Sequence, residues 1–330
     1  MPKMVRFEKV GGPEVLKFVD EADKQPLKGE VRVKVRAIGL NRAELLFIAG
    51  RYLDSPNLPA GVGYEAAGVV DAVGPDVDKS WLGASVATIP AFSMNQYPML
   101  GEVVIAPVHA LGRYPEKLSF EQAAAIWMQY LTAYGALISI AHVSKGDFVV
   151  IPAASSSVGL AAIQITKAEG AISIATTRKS TKKAELLALG ADHVIATEEE
   201  DFVARVREIT GGKGARVTFD PVAGPFVDKL AEAAAPGGII IEYGALSGER
   251  TPFPLMSALG KGLTVRGYTL IEITLHPEKL EVAKKYVYDR LADGRFQPKI
   301  AKTFPFAQTV QAFQYLASNA QVGKVVITVP

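Results

Sequence analysis

The segment VVIPAASSSVGLAAIQI, from Val149 to Ile165, decides how this chain is interpreted. A run of apolar residues leads into small residues and then into apolar positions at helical spacing. This is the strand, turn and helix of a dinucleotide-binding site, although only Gly159 remains of the three usual glycines. The segment therefore predicts either a phosphate-binding turn or a helix start that is capped by serine and binds nothing.

The residues that follow this segment predict a doubly wound α/β domain. Further strand patterns lie at 171–177, 192–196, 215–222, 237–244 and 262–268. Helical patterns lie at 158–170, 180–190, 199–212 and 225–238. Buried strands that alternate with amphipathic helices form a parallel sheet, and six strands in this arrangement predict a Rossmann domain.

The residues before Ser119 predict a second, β-rich domain. Short strand patterns separated by Gly/Pro turns lie at 31–40, 66–77 (a strand, a turn and a second short strand), 85–91 and 102–107, with one helix near 41–50. A long helix is predicted over 119–138, and a last strand, 324–329, returns to the first domain. We expect residues 1–122 and 268–330 to form the substrate domain and 123–267 the nucleotide-binding domain.

Composition narrows the function classes. The net charge is only +2, without a dense Lys/Arg run, so nucleic acid is not an expected partner. The absence of cysteine excludes disulfides, thiol nucleophiles and zinc bound by cysteine, and fits a cytoplasmic location. We expect neither a signal peptide nor a membrane span, since the N-terminus lacks an apolar core and no run reaches about 18 apolar residues.

The turn itself supplies the first candidate cofactor contacts. Ala154, Ser156 and Gly159 take the places of the three glycines. The amides and the positive dipole end of a helix N-terminus suit a pyrophosphate. The candidate contacts are Ser155, Ser156, Ser157, Val158 and Gly159, and we expect the Ser156 and Ser157 amides to face the pyrophosphate.

Two later strand ends supply further candidates. The second strand ends in ATTRKSTKK (175–183), without the acidic residue that binds the ribose of NAD. Thr177, Arg178, Lys182 and Lys183 therefore favour NADPH with its 2′-phosphate, the alternative being a solvated basic helix start. After the fifth strand, the backbone of Tyr243, Gly244, Ala245 and Leu246 is expected to contact the nicotinamide.

At these motifs the chain resembles the medium-chain dehydrogenase/reductase superfamily and, within it, the zinc-independent, zeta-crystallin-like quinone oxidoreductase group. The resemblance covers essentially the whole chain. The matching pieces are GLNRAELLFIAGRYLDSPNLPAGVGYEAAGVVDAVG (39–74), AAAIWMQYLTAYGAL (123–137), AASSSVGLAAIQITKAEGA (153–171), ALGADHVI (188–195), FDPVAG (219–224) and VGKVVITV (322–329). It implies a GroES-like substrate domain beside the Rossmann domain. Family members often carry Gly-Gly where this chain has Ser156 and Ser157.

The resemblance also implies site residues in the substrate domain. Tyr52 matches a tyrosine that lines the acceptor site, for protonation or orientation, and Asn41 matches an asparagine near the nicotinamide and the acceptor oxygen. The alternatives are a loop tyrosine packed on the surface and a strand-end turn residue. No metal site is expected, because Tyr64 replaces the histidine of the zinc enzymes and the four histidines lack paired spacing.

Four further residues resemble cofactor contacts. Thr132 matches a threonine that approaches the nicotinamide amide, and Gln129 lies on the same helix face; the alternative places these side chains in solvent. Asn319 and Lys324 resemble residues that close over the cofactor, although Lys324 also suits a charge on an edge strand.

The function expected is reduction of a quinone or an activated alkene (enone) with NADPH. A 2-enoyl thioester reductase, a non-catalytic crystallin-like NADPH-binding protein and a zinc alcohol dehydrogenase with an unusual site remain alternatives. The resemblance implies a homodimer formed through the edge strand 262–270. The loop FSMNQYPMLG (92–101) departs from the usual family pattern, and it either governs the choice of acceptor or merely shortens a loop.

Overall fold

The computed structural model describes all 330 residues, which form two compact units. Unit 1 consists of Met1–Met128, Thr274–Ala292 and Gln297–Pro330, and unit 2 of Gln129–Ile273 and Asp293–Phe296. The domain boundaries that the sequence predicts, after residues 122 and 267, stay a prediction.

Sixteen β-strands are formed: β1 (Lys3–Phe7), β2 (Lys17–Asp20), β3 (Glu30–Gly39), β4 (Ala60–Gly61), β5 (Glu65–Val73), β6 (Ser85–Thr88), β7 (Val103–Pro107), β8 (Leu111–Gly112), β9 (Phe148–Ile151), β10 (Ile172–Thr177), β11 (His193–Ala196), β12 (Ala215–Asp220), β13 (Ala234–Glu242), β14 (Thr264–Gly267), β15 (Ile300–Pro305) and β16 (Lys324–Thr328).

Eleven α-helices are formed: α1 (Arg42–Ile48), α2 (Phe120–Ala123), α3 (Trp127–Tyr134), α4 (Ser157–Ala168), α5 (Lys183–Ala188), α6 (Phe202–Ile209), α7 (Phe226–Ala233), α8 (Leu255–Lys261), α9 (Ile271–Thr274), α10 (Pro277–Ala292) and α11 (Thr309–Ala317). A π-helical turn, Gly135–Ile140, continues α3.

The six strands of unit 2 form one parallel sheet in the order β11-β10-β9-β12-β13-β14. Numbered within the unit, this order is 3-2-1-4-5-6, the Rossmann arrangement, and the prediction of fold class is confirmed. Branched and aromatic side chains fill the core, among them Val150, Ile174, Ile195, Phe202 and Ile240. Because the strands are parallel, the turns after β9, β10, β12 and β13 lie at the same sheet edge.

Unit 1 is rich in strands, as predicted. Its larger sheet runs β15-β16-β3-β5-β6-β8, with β7 also paired to β3, and a three-stranded sheet runs β2-β1-β4. Alternation in β3 buries Val31, Val33 and Val35 while Lys34 is exposed, which is the period-2 pattern of a half-buried strand. The β16 strand pairs antiparallel with β3 and so brings the C-terminal segment beside Gly39.

Two sequence predictions are wrong in detail. The second strand predicted within 66–77 is absent, since the amide of Val77 donates to the carbonyl of Gly74 and closes a turn. The long helix predicted over 119–138 is broken between α2 and α3. There the amide of Met128 donates to the Glu65 carboxylate at 2.8 Å, so a side chain from β5 caps the start of a new helix.

One helical stretch, Phe120–Ile140, is long and apolar enough to cross a membrane by length and composition alone. However, 78% of its most apolar window is buried within the protein. The core helices of water-soluble proteins meet the same criterion, so the stretch is weak evidence for a membrane span.

Candidate active site

Unit 1 contains a buried polar network around the start of α1. Asn41 is the N-cap of this helix. Its backbone amide donates to Glu44 Oε2 at 2.9 Å as part of a capping box. The side-chain amide of Asn41 donates to Glu44 Oε1 and to Glu65 Oε2, each at 3.2 Å. Glu44 and Glu65 are 0% and 1% exposed, so two carboxyl groups lie within the core.

Lys324 supplies the cation of this network. Its Nζ donates to Asn41 Oδ1 at 2.6 Å and forms an ion pair with Glu65 Oε2. The other Glu65 oxygen accepts the amide of Met128. Burial raises the pKa of Glu44 to about 7, against the opposing effect of the Asn41 amide and of Lys324. The network therefore holds one ion pair and one carboxyl group whose charge changes near neutral pH.

Glu44 joins this network to a pair of tyrosines. Its Oε1 accepts the amide of Tyr64 at 3.1 Å, and the Tyr64 ring lies edge-on to Tyr52 with 6.4 Å between ring centroids. A side-chain hydrogen bond joins the hydroxyls, and burial raises the pKa of both tyrosines. The structure thus brings the two predicted catalytic residues, Asn41 and Tyr52, into one contiguous group.

Sequence reasoning did not identify Glu44 as part of the site. The spacing Asn-x-x-Glu at a helix start is a capping-box signal and could have revealed it. The partnership of Glu65 with Lys324 carried no sequence signal, because 259 residues separate the two positions.

In unit 2 the serine turn leads directly into α4. The Ser156 hydroxyl accepts the Gly159 amide at 3.0 Å, and the Ser156 amide donates to the carbonyl of Ala153. Both polar groups are engaged within the turn, which corrects the expectation that the Ser156 amide faces a phosphate. Ser155, Ser157 and Val158 are partly exposed, at the N-terminus of a 12-residue helix.

Gly159 has the packing role of the third glycine in a nucleotide-binding turn. A Cβ at this position would lie 2.6 Å from the Cα of Ala154, so any other residue would push α4 away from the strand. The close helix–strand approach is therefore preserved although the other two glycines are missing.

The basic segment after β10 lies beside this turn. Lys182 Nζ donates to Ser155 Oγ at 3.2 Å, and its pKa is lowered by burial and by the nearby Arg178. Lys183 instead forms an ion pair with Glu200 at 2.8 Å. Thr177 is half-buried at the strand end, and Arg178 is exposed. Of the predicted cations, Arg178 and Lys182 are thus grouped at the turn, whereas Lys183 is neutralised.

The segment after β13 exposes its backbone, whereas the side chain of its first residue, Tyr243, packs against the protein. The Tyr243 ring stacks on Phe219 with 3.9 Å between centroids, and its hydroxyl is buried without a hydrogen-bond partner. Gly244, Ala245 and Leu246 are exposed at the carboxyl edge of the sheet. A ligand at this edge could reach the backbone of these three residues.

The two predicted residues of α3 are buried. Gln129 and Thr132 are 2% and 7% exposed, so the alternative that placed them in solvent is wrong. The Gln129 Oε1 atom has no hydrogen-bond partner. A buried amide oxygen without a partner is costly, which favours a bound ligand as its partner.

The remaining two predicted cofactor residues lie in unit 1. Asn319 has a left-handed backbone, with φ of 59°, and accepts a hydrogen bond from Arg42. Lys324 lies on β16, which has β15 on one side and β3 on the other. The alternative that made Lys324 a charge on an edge strand is therefore wrong.

Comparison with known proteins agrees with this geometry. Residues 27–153 match the family "Alcohol dehydrogenase GroES-like domain", and residues 157–283 match "Zinc-binding dehydrogenase". The chain is 33% identical over 331 residues to the quinone oxidoreductase of Pseudomonas aeruginosa, covering 99% of both chains. The chain belongs to the quinone oxidoreductase family of medium-chain dehydrogenases/reductases.

Solved structures of other family members are equally similar. Quinone oxidoreductase from Escherichia coli, complexed with NADPH, has a TM-score of 0.90 and 31% identity and covers 99% of each chain. The enzyme from Pseudomonas syringae pv. Tomato DC3000 has a TM-score of 0.90 and 32% identity, and covers 99% of this chain and 100% of its own. The resemblance stated from motifs is therefore confirmed over the full length.

The zinc that one family description mentions does not fit the residues present. The chain has no cysteine, and it has Tyr64 where a histidine ligand is expected. The Glu65 carboxylate already binds the Lys324 ammonium, which would repel a dication. The structure contains no group of three or more His, Asp or Glu side chains that could hold a metal.

Proposed function

We propose that this family member is a zinc-independent, NADPH-dependent reductase that reduces a quinone or an activated alkene. The pairing of Lys182 with Ser155 at the first turn, with Arg178 near Lys182, carries the proposal because two cations grouped beside a nucleotide-binding turn suit the 2′-phosphate of NADPH. The relatives named quinone oxidoreductase, one of them solved with NADPH, support both the cofactor and the acceptor class.

The residues of unit 2 fit NADPH. Gly159 keeps α4 close to β9, and the first-turn amides of α4 with the Ser155 and Ser157 hydroxyls suit a pyrophosphate. The exposed backbone after β13 and the buried Gln129 amide suit a nicotinamide. When bound, NADPH supplies the hydride; with one proton from the protein or solvent, a quinone becomes a hydroquinone.

Tyr52 is the proposed proton donor or orienting group for the acceptor. A side-chain hydrogen bond with Tyr64 orients the Tyr52 hydroxyl, which can also bond to an acceptor oxygen. Burial raises the Tyr52 pKa, so this hydroxyl stays protonated at neutral pH.

Asn41 has a different role. Its side-chain oxygen accepts from Lys324, and its side-chain nitrogen, with two hydrogens, lies 3.2 Å from each of three acceptors: the carbonyl of Gly39 and the carboxylates of Glu44 and Glu65. Because these contacts engage the whole amide, we assign Asn41 to positioning the start of α1 rather than to contact with the acceptor.

Assembly as a homodimer is also proposed. The β14 strand is an edge of the parallel sheet, and the neighbouring α8 exposes apolar side chains. Leu255, Met256 and Leu259 are 53%, 79% and 70% exposed, and Phe253 just before them is 62% exposed. An open edge beside an apolar patch favours pairing with a second copy. A cytoplasmic location and domain boundaries after residues 122 and 267 complete the proposal.

Steady-state kinetics tests the proposed function. NADPH and NADH are each combined with a quinone, an enone and a 2-enoyl-CoA. We expect the highest kcat/KM with NADPH and the quinone or the enone. Higher turnover of the enoyl-CoA would favour the thioester reductase, and tight NADPH binding without turnover of any acceptor would favour a non-catalytic protein.

A further inference from the structure

Two polar side chains, Asn95 and Ser93, join the segment Phe92–Tyr97 to the loop that follows Tyr52. Asn95 Nδ2 donates to Asp54 Oδ2 at 3.1 Å and to the carbonyl of Ser55 at 2.9 Å. Asn95 Oδ1 accepts the amide of Asn57 at 2.8 Å. All three contacts cross between loops that lie about 40 residues apart in sequence, so Asn95 fixes one loop relative to the other.

Ser93 closes the same group. Its hydroxyl donates to Asp54 Oδ2 at 2.5 Å and accepts the amide of Asn95 at 3.2 Å. A charged acceptor strengthens both hydrogen bonds to Asp54. We name the three side chains of Asp54, Ser93 and Asn95 the loop clasp.

A row of aromatic rings includes residues of the same segment as the loop clasp. Phe92 lies 6.0 Å from Tyr64 and 5.9 Å from Tyr97, measured between ring centroids, and Tyr64 in turn contacts Tyr52. Tyr52, Phe92 and Tyr97 are partly exposed, whereas Tyr64 is 8% exposed. The row therefore offers ring surface next to the proposed acceptor residue, with two of its rings, Phe92 and Tyr97, from the 92–97 segment.

We propose that the loop clasp sets acceptor selectivity, with Asn95 as a positioning residue that holds Phe92 beside the tyrosines and so favours flat, conjugated ring acceptors over flexible chain acceptors. Aromatic rings gain from offset or edge-on contact with another ring only at defined geometry. A flexible aliphatic chain does not need that geometry. This inference rests on the proposed reductase function.

Asn95→Asp is the test variant, because it removes the amide donors and places a second carboxylate beside Asp54. We expect the KM for 1,4-naphthoquinone to rise about fivefold or more. The KM for trans-2-hexenal and the KM for NADPH should change less than about twofold, with kcat nearly constant. Asp54→Asn combined with Asn95→Asp restores one donor and one acceptor, and should recover a large part of the selectivity.

Two further variants separate selectivity from stability. Asp78→Ala removes a comparable exposed hydrogen bond, from the amide of Ser80 to Asp78, and should leave both acceptors unaffected. Phe92→Leu removes the ring but keeps the loop clasp, and should shift the ratio between acceptors as Asn95→Asp does. This second variant serves if Asn95→Asp folds poorly.

The outcomes distinguish failure of the proposed reductase function from failure of the selectivity inference alone. A wild-type protein that reduces neither acceptor would overturn the proposed function and this inference with it. A wild-type protein that reduces both, with the same acceptor ratio in Asn95→Asp and Phe92→Leu, would overturn the inference alone. Equal loss for both acceptors would show that the loop clasp maintains only the structure.

Discussion

The ammonium of Lys324 and the carboxylate of Glu65 form an ion pair in which the side chains are 0% and 1% exposed. This buried pair joins β16 to β5. The same two residues contact Asn41 at the start of α1 and Met128 at the start of α3, so the pair connects both helix starts.

Removing one partner of this pair should be strongly destabilising. Lys324→Met leaves the Glu65 carboxylate buried and unpaired, and should lower the free energy of unfolding by about 3–5 kcal/mol. Lys324→Met combined with Glu65→Gln should recover much of that loss. Urea denaturation measures the free energy of unfolding of both variants. The control is Lys3→Met, which removes the exposed ion pair with Asp20 and should change this free energy by less than about 1 kcal/mol. Equal effects of the buried and exposed variants would contradict the network.

Tyr52→Phe should lower kcat/KM for the best quinone roughly tenfold or more, because the acceptor oxygen loses its proton donor or orienting group. The KM for NADPH should stay the same. Tyr64→Phe removes only the hydrogen bond between the two hydroxyls and should have a smaller effect. If Tyr52→Phe matches the wild type with every acceptor, this hydroxyl has no role in the reaction.

Arg178→Ala and Lys182→Ala should each raise the KM for NADPH about tenfold and leave the KM for NADH nearly unchanged, since only NADPH carries the 2′-phosphate. Lys183→Ala is the matched control, because that ammonium is already paired with Glu200. An equal loss of NADH affinity in the first two variants would assign them to a general structural role.

The carboxyl groups of Asp220 and Glu242 predict a pH-dependent stability. They face each other in register on β12 and β13, and burial together with Asp220 raises the pKa of Glu242 to about 8. Asp220 accepts the amides of Val222 and Ala223 at 2.8 and 2.9 Å, so it holds the charge while Glu242 holds the proton.

The direction in which stability changes with pH follows from proton linkage. Because the folded state holds this proton more tightly than the unfolded state, stability falls as pH rises from about 4.5 to about 8. Glu242→Gln should raise Tm at pH 9 by roughly 2–4 °C and leave it nearly unchanged at pH 4.5. Differential scanning calorimetry measures this, with the exposed Glu249→Gln as the control. A Tm gain independent of pH would refute the shared proton.

The exposed face of α8 should be the dimer contact. Met256→Asp combined with Leu259→Asp places two charges on it and should convert a two-copy species to one copy in sedimentation velocity at micromolar concentration. Leu187→Asp changes another exposed leucine, 46% exposed on α5, and should leave the assembly intact. A wild-type protein that sediments as a single copy would exclude the dimer.

The sequence predicted the alternation of strands and helices in the Rossmann domain because each strand and helix has its own local period. It also located the turn before α4 and the cations after β10, since these are continuous segments. It could not assign the Ser156 amide, because a capping serine and a phosphate-binding serine occupy the same place before a helix. The contact of the Ser156 amide with the carbonyl of Ala153 is visible only in the folded turn.

The acceptor side was less accessible from the sequence. Tyr52 and Asn41 could be named by resemblance. In the structure Asn41 contacts Glu44, Glu44 contacts Tyr64, and Tyr64 contacts Tyr52, and no single sequence motif contains Glu44 and Tyr64. The break between α2 and α3 arises from Glu65, 63 residues before Met128. Contacts of this length depend on how strands pair, and no period within a segment encodes them.

Single-turnover mixing of NADPH-loaded protein with 1,4-benzoquinone tests the central claim most directly. The proposed function predicts that absorbance at 340 nm falls with one hydroquinone formed for each NADPH oxidised, faster than without protein, and that NADH gives a much lower kcat/KM. Loss of NADPH at only the uncatalysed rate, or a preference for NADH, would contradict it.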